Sequence, residues 1–197
     1  MTAYGDGYPA INGQTLIITG NKGTGKTYYS KQICKKHKYR TLVLTPNEWD
    51  FNKEPDNFIL IKGFKPSNKE IVEECFNLAI KLAEKNQIDA VIIDEFDLIY
   101  RTNTDISDVG TDLIVRQRHF GKDGLAVIGI TRRLQDIPAK IYGQALYKVC
   151  FAIESPQTHR LLENIYKSFG EQVALLSQEE RAFIIKKIGT PPEKKTA

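Results

Sequence analysis

Cysteine is scarce and scattered in this chain, with three thiols in 197 residues, at positions 34, 75 and 150. So few, set so far apart within apolar or helical stretches, exclude a disulfide framework. They read as reduced, buried small residues rather than a metal or redox centre. No apolar run is long enough to span a bilayer as a helix. The first eight residues contain no basic and then apolar segment of the kind that directs secretion, so the expected compartment is a cytosol. Internal repeats are missing too. Neither sign of charge dominates: 28 Lys and Arg against 24 Asp and Glu leave +4. That balance permits contact with nucleic acid without demanding it. An apolar share of 41% and a charged share of 26% are ordinary for a globular chain, and this length suits one domain with a substantial core.

Against that plain background one stretch stands out. Thr15 to Thr19 reads as a short apolar strand, Gly20 to Thr27 follows the pattern G-x-x-x-x-G-K-T, and a lysine-rich helix comes next. This is the phosphate-binding P-loop, or Walker A motif. Gly23 and Gly25 let the backbone curl so that successive N–H groups point at a nucleotide's phosphates. The helix N-terminus adds partial positive charge. The expected nucleotide-binding set is Gly20, Asn21, Lys22, Gly23, Thr24, Gly25, Lys26, Thr27 and Tyr28. Within it Lys26 reaches the β- and γ-phosphates, and the Thr27 hydroxyl ligates Mg²⁺.

The remaining chain alternates between strand and helix signals. Strands are expected at 41–45, 58–61, 90–93, 125–131, 147–153 and 181–186. Helices are expected from 26 to 37, from a cap at Ser67 with Glu70 three residues on to about 85, from about 105 to 120, and from 157 to 169. The basic run at 35–38 suits a helix C-terminus, and Trp49 a packing anchor in a polar loop. Residues 1–13 are expected to be a loose leader and 188–197 a flexible, proline-containing tail, leaving 14–187 as the domain. The pattern predicts an α/β fold with a mostly parallel central sheet flanked by helices. Ligands of such sheets bind at the carboxyl ends of the strands, where Thr19, Asp94 and Thr131 fall.

Val91-Ile92-Ile93-Asp94-Glu95 has the form of a Walker B motif. Asp94 is the expected second metal ligand, and Glu95 the base that orients and deprotonates an attacking water. A carboxylate beside the metal ligand favours hydrolysis over transfer to a small molecule. Two apolar strands between the motifs imply an extra strand between those that carry them, a layout resembling the additional-strand, catalytic-glutamate P-loop NTPases.

The segments Val115-Arg116-Gln117-Arg118-His119-Phe120-Gly121 and Ile130-Thr131-Arg132-Arg133-Leu134-Gln135-Asp136 narrow the likeness. From about residue 14 to 187 the chain resembles the HerA/FtsK superfamily, and within it the genome-packaging ATPases of membrane-containing icosahedral viruses. That resemblance implies an ATP- and Mg²⁺-dependent motor that moves double-stranded DNA into a preformed capsid. It also implies a ring, expected to be a hexamer, with a capsid vertex or inner membrane as further partners, in the host cytoplasm or with the virion. By the same resemblance Thr131 and Arg133 sense the γ-phosphate, and Arg118, ahead of Arg116 and Arg133, is an arginine finger acting on a neighbouring subunit. His119 is a structural neighbour. Arg132 departs from the family's usual Gln and cannot accept a hydrogen bond from water. Basic loops at 62–69 or 101–103 are candidates for touching DNA phosphates. A small-molecule or nucleoside kinase and a phage assembly NTPase that moves no DNA are the alternatives.

Overall fold

The computed structural model describes residues 7–47, 57–61, 63–100, 108–177 and 182–196. The apolar runs become strands β1 (Thr15–Thr19), β2 (Thr41–Leu44), β3 (Phe58–Ile61), β4 (Ala90–Ile93), β5 (Ala126–Thr131), β6 (Tyr147–Cys150), β7 (Ala182–Lys187) and β8 (Glu193–Thr196). They form one eight-stranded sheet in the order β3-β2-β4-β5-β1-β6-β7-β8. The strands from β3 across to β6 run parallel, and β7 and β8 add on antiparallel. The expected α/β architecture with a mostly parallel sheet is the one present.

Alternation along each strand divides the side chains between two cores. Leu16, Ile18, Val43, Ile92, Ile128 and Ile130 face helix α1 (Lys26–Lys36), which presents Tyr29 and Ile33. Ile17, Leu42, Val91, Ile93 and Val127 face α2 (Lys69–Glu84), α3 (Phe96–Ile99) and α4 (Asp108–Val115). Beyond the short α5 (Ala139–Tyr142), helices α6 (Pro156–Ile165) and α7 (Phe169–Ala174) cover the β6–β7 part of that second face. The central strands are buried on both sides, which is why they read as unbroken apolar runs.

The inserted strand between the two motif-bearing strands is β5, whereas β2 and β3, which lie between the motifs in sequence, continue outward beyond β4. Burial explains the choice. Every residue of β5 is buried and suits the sheet centre, while β3 leaves Ile59 exposed and suits an edge.

The chain ends differ from expectation. Residues 193–196, expected to be a flexible tail, pair with β7 as β8, whose backbone satisfies an otherwise open sheet edge. Residues 7–13, expected to be loose, are anchored: the Ile11 N–H donates to Tyr39 Oη at 3.0 Å, and Tyr29 Oη donates to the Gly7 carbonyl at 2.6 Å. The α2 cap is Asn68 rather than Ser67, its Oδ1 accepting from the Ile71 N–H at 3.2 Å. The helix expected to reach 120 stops at Val115 and gives way to a 3₁₀ turn at Gln117–His119. The helix expected over 157–169 breaks into α6 and α7. Gly170 passes so close to the His159 carbonyl that a Cβ would lie 2.2 Å from it, so α7 folds back on α6. Trp49 and the loop at 101–103 lie outside the described residues.

Candidate functional site

The loop after β1 is shaped by its glycines. Gly23 and Gly25 have φ of 83° and 102°, left-handed values that strain any residue with a Cβ. Gly25 caps α1 with no side-chain hydrogen bond, and no acidic residue occupies the helix's first turn. The first N–H groups of α1 are therefore left to an anionic ligand. Lys26 folds back over the loop, its Nζ donating to the Gly20 carbonyl at 2.8 Å and the Asn21 carbonyl at 2.6 Å. Burial pushes its pKa down to about 8, against the pull of Asp94, with Arg132 adding to the depression. A bound phosphate would supply the countercharge this cation is short of. The Thr24 hydroxyl turns inward to the Asn21 carbonyl at 2.9 Å. Tyr28 stands 53% exposed on α1.

Two strands away, β4 delivers the carboxylates. Asp94 Oδ2 accepts from Thr45 Oγ1 and Asn47 Nδ2, both at 3.0 Å, and Oδ1 accepts from the Glu95 N–H at 3.0 Å. With three donors fixing it, the carboxylate has one orientation. Glu95 turns the chain with φ of 53°, and its Oε2 accepts from Arg132 Nη2 at 2.9 Å. Because β5 separates β1 from β4, the strands that lead into the loop and into Asp94 lie two strand spacings apart, about 10 Å. That gap accommodates phosphate and a hydrated cation.

The end of β5 closes the site from beneath. Gly129 has no side chain, and the Phe96 ring takes the space, where a Cβ would lie 2.8 Å from it. This close approach brings α3 onto β5 and sets the buried Asp97 opposite Thr131. Thr131 Oγ1 donates to Asp97 Oδ1 at 2.6 Å and accepts from the Arg133 N–H at 3.0 Å. The hydroxyl proton of Thr131 is thus committed to Asp97. Arg133 reaches Asp136 at 3.4 Å.

Lys22, Lys26, Thr27, Asp94, Glu95 and Thr131 line one cleft of about 560 Å³, together with Arg132. A second cleft of about 650 Å³ adjoins it, sharing Lys22 and Arg132 and including Arg133. Thr27 and Asp94 offer one hydroxyl and one carboxylate to a cation. Among the described residues no three His, Cys, Asp or Glu side chains gather into a metal cluster. Such a sparse oxygen set fits Mg²⁺, which keeps several waters and takes its other ligands from substrate phosphates. The arrangement can therefore hold a polyphosphate against Lys26 and set a carboxylate beside it.

The arginines of the 115–121 segment are not brought to this cleft. Gln117 Nε2 contacts Thr15 Oγ1 at 3.3 Å, at the start of β1, whereas the loop follows its end. Arg118 packs beside Gly13 there, its Nε 3.1 Å from His119 Nε2, and Arg116 pairs with Asp112 at 3.0 Å. Thr45, Asn47 and Asp97 are site residues that sequence reasoning missed. Thr45 and Asn47 follow an apolar strand that turned out to adjoin β4, and Asp97 follows an acidic pair, so strand-end position was the available signal.

The family model for the ATPase family associated with various cellular activities (AAA) matches residues 16–152. The chain belongs to this ATPase family, whose members bind and hydrolyse nucleotide through a P-loop. No curated protein matches it in sequence. Among solved structures it is similar to B204, the DNA-packaging ATPase of Sulfolobus turreted icosahedral virus. The TM-score is 0.81 at 20% identity, covering 95% of this chain and 98% of that one. The genome-packaging NTPase B204 of Sulfolobus turreted icosahedral virus 2, in complex with ATPγS, matches with a TM-score of 0.78 at 18% identity over 93% of this chain and 97% of that one. The N-terminal domain of zonular occludens toxin from Neisseria meningitidis follows at 0.57 and 13% identity, covering 94% of each chain. Among the described residues, no helix is long and apolar enough to cross a membrane.

Proposed function

We propose that this AAA-family ATPase is a Mg²⁺-dependent motor that couples ATP hydrolysis to movement of double-stranded DNA, packaging a viral genome into a preformed capsid. The observation that carries the DNA part is the likeness to the B204 DNA-packaging ATPase, which extends over nearly the whole of both chains. The cleft supports the chemistry. Lys26 and the loop N–H groups hold the phosphates, while Thr27 and Asp94 hold Mg²⁺, which would neutralise charge on the phosphate oxygens. Glu95 takes the proton of the attacking water, and Thr131 sets the far wall where the γ-phosphate lies, with Arg133 in the adjoining cleft. The cytoplasm of an infected cell, at a capsid vertex, is where such a motor works.

In this reading the chain works as a ring, and the position of Arg118 has a use. It sits at the other end of β1 from its own loop, so the site it serves as a finger belongs to the neighbouring copy. Head-to-tail contacts of that kind close into rings. The test is the rate of phosphate release from ATP with and without duplex DNA, on samples whose assembly state is measured in parallel. Stimulation by DNA in the assembled form is expected. Indifference to DNA in every assembly state overturns the motor.

A further inference from the structure

We infer that Arg132 latches Glu95 and surrenders that contact to the terminal phosphate of a bound nucleoside triphosphate, so that one guanidinium first restrains the base and then supports the reaction. The inference rests on the ATPase reading above and adds a residue to it.

Arg132 Nη2 lies 2.9 Å from Glu95 Oε2, joining the ends of β5 and β4, and both residues line the cleft with Lys26 and Thr27. The partners are unequal. The Glu95 side chain is 16% exposed and that of Arg132 54%, so the carboxylate is the confined member and the guanidinium the one with room to swing. Backbone on both sides is fixed. Glu95 sits in a left-handed turn with its N–H on Asp94, and the Arg132 segment is tied down where Thr131 bonds to Asp97 and receives the Arg133 N–H. Movement is thus confined to one long side chain.

A guanidinium fork fits carboxylate and phosphate equally well in shape, and a terminal phosphate carries the greater charge. When that phosphate enters beside Lys26 it competes for Arg132. Glu95 is then released to accept a proton as the water oxygen attacks the γ-phosphorus. The bond to the bridging oxygen breaks, and its electron pair leaves with the diphosphate. A diphosphate ends at its β-phosphate and brings no γ-phosphate to draw Arg132 away, so it leaves the latch closed.

The test is calorimetric binding of Mg²⁺–ATPγS and Mg²⁺–ADP to the full chain and to Glu95→Gln, Arg132→Gln and the double variant. Arg132→Gln should weaken ATPγS binding about 10-fold or more, the scale of a lost charge-assisted contact, with ADP affinity unchanged within about 2-fold. Glu95→Gln should tighten ATPγS about 3-fold by opening the latch, and this gain should vanish in the Arg132→Gln background. A gain of equal size in both backgrounds means that Glu95 merely repels phosphate, and overturns the inference. So does an unchanged ATPγS-to-ADP ratio in Arg132→Gln. Arg132→Lys, which keeps the charge and loses the fork, should fall between wild type and Arg132→Gln, and it stands in if the glutamine variant fails to fold. Absence of ATP turnover by the wild type sinks the ATPase reading instead, and leaves the binding ratios to judge the latch separately.

Discussion

Lys26, Lys148 and Lys186 are buried to nearly the same degree among the described residues, and of the three only Lys26 lies in the cleft. Lys26 is 9% exposed and Lys148 5%, and burial pushes the pKa of each down to about 8. Around Lys26 stand Asp94, Glu95 and Asp97, which pull its pKa back up. Lys148, in the middle of β6, donates to the Ala145 carbonyl at 2.9 Å and is paired across strands with a second lysine, Lys186, which lowers its pKa further. A buried cation is therefore no mark of a site by itself. The mark is a buried cation that opens onto a cleft with carboxylates on its far wall.

The comparison breaks most visibly on activity. Lys26→Ala should cut phosphate release from ATP at least about 100-fold, the scale of losing a preorganised charge at a reacting phosphate. Lys148→Ala, measured in the same assay, should leave turnover per folded molecule within about 2-fold. Stability sharpens the contrast in the opposite direction. Lys148→Met should raise unfolding stability at pH 7 by about 1–2 kcal/mol, read from the denaturant midpoint, because a desolvated charge is replaced by a thioether of similar length. The sign with pH follows from a folded pKa depressed from 10.5 to about 8. The penalty of keeping Lys148 charged is complete below about pH 8 and is lost as pH rises to 10.5, so the advantage of methionine should fade over that window. Arg118→Ala should show the smallest effect. In the unassembled chain ATP affinity should move less than about 2-fold and stability less than about 0.5 kcal/mol. A loss of turnover should appear only once copies assemble.

How far the sequence could be read depended on whether a feature is local. Gly20 to Thr27 and Asp94–Glu95 are contiguous, and the strands at 90–93 and 126–131 are apolar on both faces, so the fold class and most of the residues that line the cleft were visible. The contacts Thr45–Asp94, Glu95–Arg132 and Asp97–Thr131 span 34 to 49 residues. They exist because β2 and β5 flank β4, an order that no local pattern states. β8 was missed for another reason. Glu193-Lys194-Lys195-Thr196 carries no apolar face, and it is a strand because the β7 edge had backbone groups to satisfy. The break between α6 and α7 was hidden as well, since it rests on Gly170 meeting the His159 carbonyl.

The place of β5 also bears on how the molecule comes into being. Thr15 pairs with Val127, a separation of 112 residues (127 − 15), yet β5 is what joins β1 to β4. Until that distant segment is captured, the loop and the carboxylates belong to separate fragments of a collapsing chain. Closing so long a loop costs entropy before any contact repays it, so the pairing is expected late and its capture to limit the rate. A nucleotide offered during refolding should then leave the refolding rate nearly unchanged and slow unfolding instead, because it finds its binding surface only on the finished side of the barrier.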